Sequence, residues 1–151
     1  CPVALPAEPP PRATPARSCP PPEGEAPSLP RGWVTFPDTP AAPRVAVEVA
    51  RTDESRARGL MYRTALADGE GMLFDWPDEE LRTFWMHDTC VPLDMMFIAT
   101  DGTILGIVEQ VPVLNDSPRG VPCPSSRVLE VPAGWSRAHG VQPGQRIAFE
   151  S

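Results

Sequence analysis

A mainly β domain is the fold class this sequence predicts: an antiparallel sandwich or barrel with two short helices, behind a disordered Pro-rich tether. Three observations predict it. From Arg31 onward, about eight short apolar or alternating segments are separated by turn signals at roughly 8–12-residue spacing. Only two stretches carry helix start and stop signals, too few and too short to cover both faces of a doubly wound parallel sheet. Of the 22 prolines, 14 lie before Arg44. The first thirty residues hold almost no aromatic or β-branched side chain, so they cannot bury enough apolar surface to offset their ordering entropy.

Residues 1–30 therefore read as the tether. Triple prolines at 9–11 and 20–22 favour extended polyproline II, with a rise of about 3.1 Å per residue. The sequence begins at Cys1, and an N-terminal Cys ahead of a Pro-rich tether resembles a processed bacterial lipoprotein whose Cys carries the lipid. The expectation is a cell-envelope protein on the periplasmic or outer-membrane face, touching the membrane only through lipid at Cys1.

Residues 31–151 read as a single β-rich domain. Trp33–Phe36 is a short strand, and Val45–Val49 alternates apolar and polar residues as a second. Thr52 caps a helix over 53–58, with acids in its first turn, arginines in its last and Gly59 as its stop. Gly71–Phe74 is a continuous apolar strand, and Trp76-Pro77 with the acids behind it reads as a loop. Thr83–Met86 and Leu93–Ile98 form two strands around a polar corner. Asp101-Gly102 is a hairpin turn, from which 103–111 returns. A Pro/Ser/Asn-rich loop over 112–126 precedes strand 127–131, a short helix over 133–139 stopped by Gly140, and a last strand over 144–149.

The net charge is −7, and all 13 basic residues are arginine. From Arg44 on, 10 Arg face 16 acids, a balance of 10 − 16 = −6. This acidity argues against nucleic acid or an anionic membrane surface as a partner.

The run Thr52-Asp-Glu-Ser-Arg-Ala-Arg-Gly-Leu-Met-Tyr-Arg63, with Gly71-Met-Leu-Phe74, Phe84-Trp-Met86, Thr89, Pro92-Leu-Asp94 and Phe97-Ile98, resembles the signature blocks of domain of unknown function 192. Ala133-Gly134, His139-Gly-Val141 and Pro143-Gly144 resemble its closing block, so the likeness spans roughly 44–151. The resemblance implies a compact jelly-roll-like sandwich, often exported or membrane-tethered, with no established activity. Two departures stand out. Many members have Lys-Asn where this chain has His87-Asp88, and an apolar residue where it has Cys90.

Pairing Cys90 with Cys123 is the economical reading of two thiols in an exported domain, with a stabilisation of roughly 3–4 kcal/mol as an upper figure. The alternative is a reactive Cys90 thiol beside His87. Cys19 is left in the tether. No Cys-x-x-Cys occurs and zinc ligands are too few, so neither metal nor cofactor is expected.

Asp94 lies between Leu93 and Met95, where a carboxylate needs donors or a cation. Arg63, Arg82 and Arg127 are available. It reads either as a core Asp tying down the 88–91 turn through backbone N–H groups, or as a member of a polar pocket with His87, Asp88 and Glu130. Arg63, Trp85, Thr89, Arg127 and Glu130 are the candidate ligand-binding residues. Trp33, Trp76 and Trp135 lie near loops as candidate stacking surfaces. His139 reads as a helix cap.

The leading expectation is a non-catalytic envelope domain that binds a small ligand, glycan or protein partner. The rival is a hydrolase using His87 with Asp88 or Asp94. A structural spacer is the third reading.

Overall fold

A computed structural model of the chain describes residues 18–151. The fold is mainly β: one seven-stranded mixed sheet with two short helices. Its elements are β1 (Arg31–Thr35), β2 (Arg44–Ala50), α1 (Asp53–Arg58), β3 (Glu70–Glu80), β4 (Leu93–Ile98), β5 (Ile104–Val111), β6 (Ser125–Pro132), α2 (Trp135–Ala138) and β7 (Ala148–Glu150). The strand order is β5-β4-β6-β3-β2-β1-β7.

The expected antiparallel arrangement has one exception: β2 and β3 run parallel. A parallel pair requires a crossover rather than a hairpin, and the 51–69 segment with α1 supplies it. At the two sheet edges, the chain ahead of β7 reaches the start of β5. Ile104 N–H donates to Gln145 O at 2.8 Å and Ile147 N–H to Gly102 O at 2.9 Å. This is a bridge and not a ladder, so the sheet stays open.

Two further expectations change. Thr83–Met86 is not a strand; it lies across the sheet with one bridge, Phe84 to Arg119. Phe84 and Met86 pack on the core while Trp85 stays half exposed, and the backbone pairs with the 115–119 loop: Met86 N–H donates to Asn115 O at 2.8 Å. Conversely, the expected loop at Trp76-Pro77 continues β3 to Glu80, and its register against β6 shifts between Asp75 and Glu80. That irregularity is where a strand tolerates proline.

Both faces of the central strands are buried. Val34, Val47, Leu73, Met96, Leu129 and Val131 join Phe36 and Trp135 on one face. Met72, Phe74, Met95, Phe97 and Val128 join Leu60, Met86 and Val121 on the other. β4 is consequently buried at every residue.

A disulfide joins Cys19 to Cys90, with Cα atoms 5.6 Å apart. This overturns the expected Cys90–Cys123 bond. Cys90 sits half-exposed at the corner, open to the N-terminal segment, whereas Cys123 is turned into the core and is itself disulfide-bonded. Residues 18–30, expected as free tether, are held to the domain. Besides the disulfide, Arg58 donates to Glu23 O at 2.7 Å and Leu29 packs on the core. Cys1 lies outside the described residues.

Candidate functional site

The site is assembled on the face of the sheet that carries Met72 and Met95. On β6, Glu130 stands opposite Met72 of β3 and Met95 of β4, both fully buried. These two neighbours leave the carboxyl between two thioether side chains. Glu130 is only 4% exposed, and among the described residues its carboxyl has no hydrogen-bond or ion-pair partner. Burial alone pushes its pKa from 4.5 up to about 8. At neutral pH it is largely the neutral acid.

The small exposure that remains opens into a pocket of about 320 Å³ between α1, the 83–89 segment, β3 and Glu130 near the end of β6. Glu130, Leu60, Met61, Phe74, Trp76, Phe84, Trp85 and Thr89 line it, with Asp53, Arg56 and Arg58 on the α1 side. α1 is fixed by a capping box: Thr52 Oγ1 accepts from Ser55 N–H at 3.1 Å and Thr52 N–H donates to Ser55 Oγ at 3.0 Å.

The aromatic wall is built edge to face. Phe84 meets Phe74, Trp76 and Phe97 at centroid distances of 4.8, 6.0 and 6.0 Å. Two glycines make room. Gly71 brings β3 so close to β6 that a Cβ there would sit 2.4 Å from Glu130 O. Gly59 turns the chain at φ +50° under the Phe74 ring.

The α1 arginines are engaged elsewhere. Arg56 donates to Arg51 O, Asp75 O and Asp53 Oδ1 at 2.6, 2.9 and 2.8 Å. Arg58 donates to Glu23 O. Neither lowers the Glu130 pKa, whose sole cause of shift is desolvation.

Residues 35–149 match the family model of domain of unknown function 192 (DUF192), described as uncharacterized ACR. The chain belongs to the DUF192 family. Among solved structures it is similar to a candidate transcription regulator from Sinorhizobium meliloti 1021. That match has 37% identity over 83% of this chain and 98% of the other, with a TM-score of 0.78. It is also similar to a protein of unknown function from Novosphingobium aromaticivorans DSM 12444, at 30% identity over 83% of this chain and 94% of the other, with a TM-score of 0.72. No curated protein matches the chain significantly.

Within this DUF192 domain, the candidates from the sequence fall into three groups. Trp85, Thr89 and Glu130 meet around the pocket. Trp85 is half exposed at its mouth, and Thr89 is buried, its hydroxyl donating to His87 O at 3.1 Å. His87 and Asp88 line a neighbouring open cleft with Ser18, Asn115 and Asp116. Asp94, Arg63 and Arg127 lie apart from both pockets.

His87 stacks on Trp85 with centroids 4.6 Å apart. Its Nδ1 lies 2.9 Å from Asp116 Oδ1 and its Nε2 3.3 Å from Asp88 Oδ2. The Asp116 hydrogen bond, assisted by both carboxylate charges, raises its pKa against a smaller lowering by burial. The close approach of His87 to Asp88 that a hydrolase requires is therefore present. Its chemistry points the other way: both ring nitrogens face carboxylates, so no nitrogen is left to take a proton from a nucleophile.

Tyr62, Asp88 and Leu114 all take positive φ at this corner, at +69°, +51° and +52°. Backbone bonds lock them in place: Tyr62 N–H donates to Asp88 O, and Leu114 N–H donates to Thr89 O, each at 2.9 Å.

Asp94 has a different task from either expected one. Its Oδ1 accepts from Gln110 N–H at 2.8 Å and Gly134 N–H at 3.0 Å, and its Oδ2 from Ser136 N–H at 3.1 Å. It thus fixes a left-handed residue in β5, Gln110 at φ +54°, and the start of α2. The 88–91 turn is not its partner. Arg63 pairs with Glu48 and Arg127 with Asp75.

Of the expected stacking surfaces, Trp135 is buried and Trp76 is flanked by Arg82 at 4.0 Å; Trp33 remains partly exposed beneath Arg44. His139 does cap α2. Sequence alone does not single out Phe84 or Asp116 as site residues: Phe84 reads as ordinary core and Asp116 as a loop acid.

Proposed function

We propose that this domain is a non-catalytic binding module, working outside the cytoplasm, that takes a small ligand in the pocket over Glu130. One observation carries the reading. A carboxyl buried without a partner costs folding free energy, yet Glu130, which has none among the described residues, stands in an aromatic-walled pocket where a ligand can satisfy it. The pocket volume suits a small molecule better than a protein segment. The sheet whose edges approach each other is read as a jelly-roll-like sandwich, with this pocket on its outer covered face.

The Cys19–Cys90 bond and the disulfide-bonded Cys123 support an oxidising compartment. Anchoring through lipid at Cys1 is a separate proposal: with Cys19 and Cys90 paired to each other, it requires that Cys123 take its partner from another chain or stay reduced. A lipid thioether excludes a disulfide at that sulfur, so peptide mapping of the native protein reads it directly. The acidic balance of the domain weighs against carrying DNA regulation over from the Sinorhizobium protein.

The test is a fragment screen containing cationic, anionic and neutral compounds. Binding is followed by the indole N–H resonances of Trp76 and Trp85 and by melting temperature. Ligands of the pocket move both indole signals and raise the melting point. If no compound of any charge type moves either, the binding reading is wrong.

A further inference from the structure

Resting on the pocket reading above, we infer that the ligand is a small organic amine whose ammonium group pairs with Glu130 and displaces its proton. Three features of the pocket point to this class. Glu130 is the polar group at the pocket floor, and the Met72 and Met95 side chains beside it offer no donor. A carboxylate in such a place is best satisfied by a cation that brings several N–H donors. The exposed mouth is formed by Trp85 with Phe84 behind it, ring faces and edges that attract an ammonium group.

Of the charged groups on the remaining wall, the two arginines share an amine's charge but are hydrogen-bonded elsewhere. From α1, Arg56 and Arg58 are turned to backbone carbonyls and to Asp53, and Asp53 is a fully exposed carboxylate at the rim. β3 contributes Phe74 and Trp76, and the 83–89 segment contributes Thr83, Phe84, Trp85 and Thr89, none of which titrates. An anionic ligand would meet a carboxyl on the floor; a neutral one would leave its ionised form unpaired.

The exchange is balanced in charge and protons. The ammonium ion enters, the Glu130 carboxyl becomes carboxylate, and one proton passes to solvent. Affinity for an amine therefore rises with pH as far as about 8, where Glu130 ionises unaided, and is flat above that until the amine itself deprotonates.

Benzylamine, benzyl alcohol and benzoate share a ring and differ in charge, so they test the assignment. They are titrated into the full chain by calorimetry at pH 6 and pH 8, in two buffers of different ionisation enthalpy. Benzylamine is expected to bind at least tenfold more tightly than the other two. It should release close to one proton at pH 6 and markedly less at pH 8. Glu130→Gln should lose tenfold or more of that affinity, together with the proton release. Should the variant fold poorly, the proton count on the unaltered protein still decides.

If benzyl alcohol or benzoate binds as tightly as benzylamine, or if benzylamine binds with no proton release at pH 6, the amine assignment is overturned and the pocket reading stands. If none of the three binds, the assignment falls as well. The broader fragment screen then decides the pocket independently.

Discussion

Two carboxylates on neighbouring strands of one sheet have opposite fates. Asp94 on β4 is fully buried and accepts three backbone N–H bonds. Glu130, on β6, is nearly as buried and accepts none from the described residues. The strands that carry them are hydrogen-bonded to each other, so depth in the fold does not separate the two. Their faces do. Asp94 points to the face where β5 bulges at Gln110 and α2 begins, both of which present unpaired N–H groups. Glu130 points to the face covered by side chains of the 83–89 segment, which brings hydrocarbon and aromatic rings. The first arrangement spends a carboxylate on holding the fold; the second keeps one available for something that is not protein.

The largest test of this contrast is Asp94→Ala. It leaves three backbone donors buried without an acceptor, which should destabilise the domain by about 3–5 kcal/mol. Urea unfolding measures it. A loss below about 1 kcal/mol would mean that water replaces the carboxylate, and that Asp94 is not the peg described above.

Next is the disulfide, which ties the N-terminal segment to the corner between the two carboxylate faces. Cys90→Ser opens a link between residues 71 apart in sequence. The expected cost is about 2–4 kcal/mol, chiefly through a less constrained unfolded chain. The same unfolding experiment reads it, and proteolysis of the unreduced protein should then release the 18–30 segment. Unchanged stability would indicate that the backbone contacts of 18–30 alone keep it in place.

Glu130→Gln works in the opposite direction. In the folded chain its pKa rises from 4.5 to about 8. Below the unfolded value both states are protonated and the carboxyl has no effect on stability. As pH climbs from about 4.5 to about 8, the unfolded chain gives up its proton while the folded chain keeps it. Stability then drains by about 1.4 kcal/mol per pH unit. Glu130→Gln removes that slope, so the variant should exceed the parent by up to about 3 kcal/mol at pH 7 and match it near pH 4. Parallel stability-against-pH curves for the two proteins would show that Glu130 already has a partner.

The contrast was only partly legible in the sequence, for physical reasons. Leu93 and Met95 flank Asp94, so its burial could be read, but its donors lie 16 to 42 residues away. Strand alternation cannot report such distances. Glu130 alternates with Leu129 and Val131, and alternation alone assigns it to the solvent side. Only the tertiary covering of that side by Phe84 and Met86 turns it into a buried acid. The strands themselves followed from apolar runs, except that 83–86 is as greasy as a strand and serves as a lid over one. The cysteine pairing was hidden because Cys19 stands in a stretch whose composition reads as tether.

The smallest expected effect concerns His87, beside the pocket yet outside it, and it separates a binding site from a catalytic one. His87 is more than a third exposed and faces two carboxylates. Asp116 raises its pKa most, then Asp88 by charge, against partial burial. Because the folded value lies above the unfolded one, any stability the imidazolium contributes is complete below the unfolded pKa. It is lost as pH rises through the folded pKa, and solvent screening keeps it small. NMR titration of the ring protons should place His87 above an ordinary histidine. Asp116→Asn should bring it down further than Asp88→Asn does, because it removes both a hydrogen bond and a charge. A His87 that titrates below the ordinary value would be a free base at neutral pH. In that case the cleft it lines, and not the Glu130 pocket, would be the place to look for chemistry.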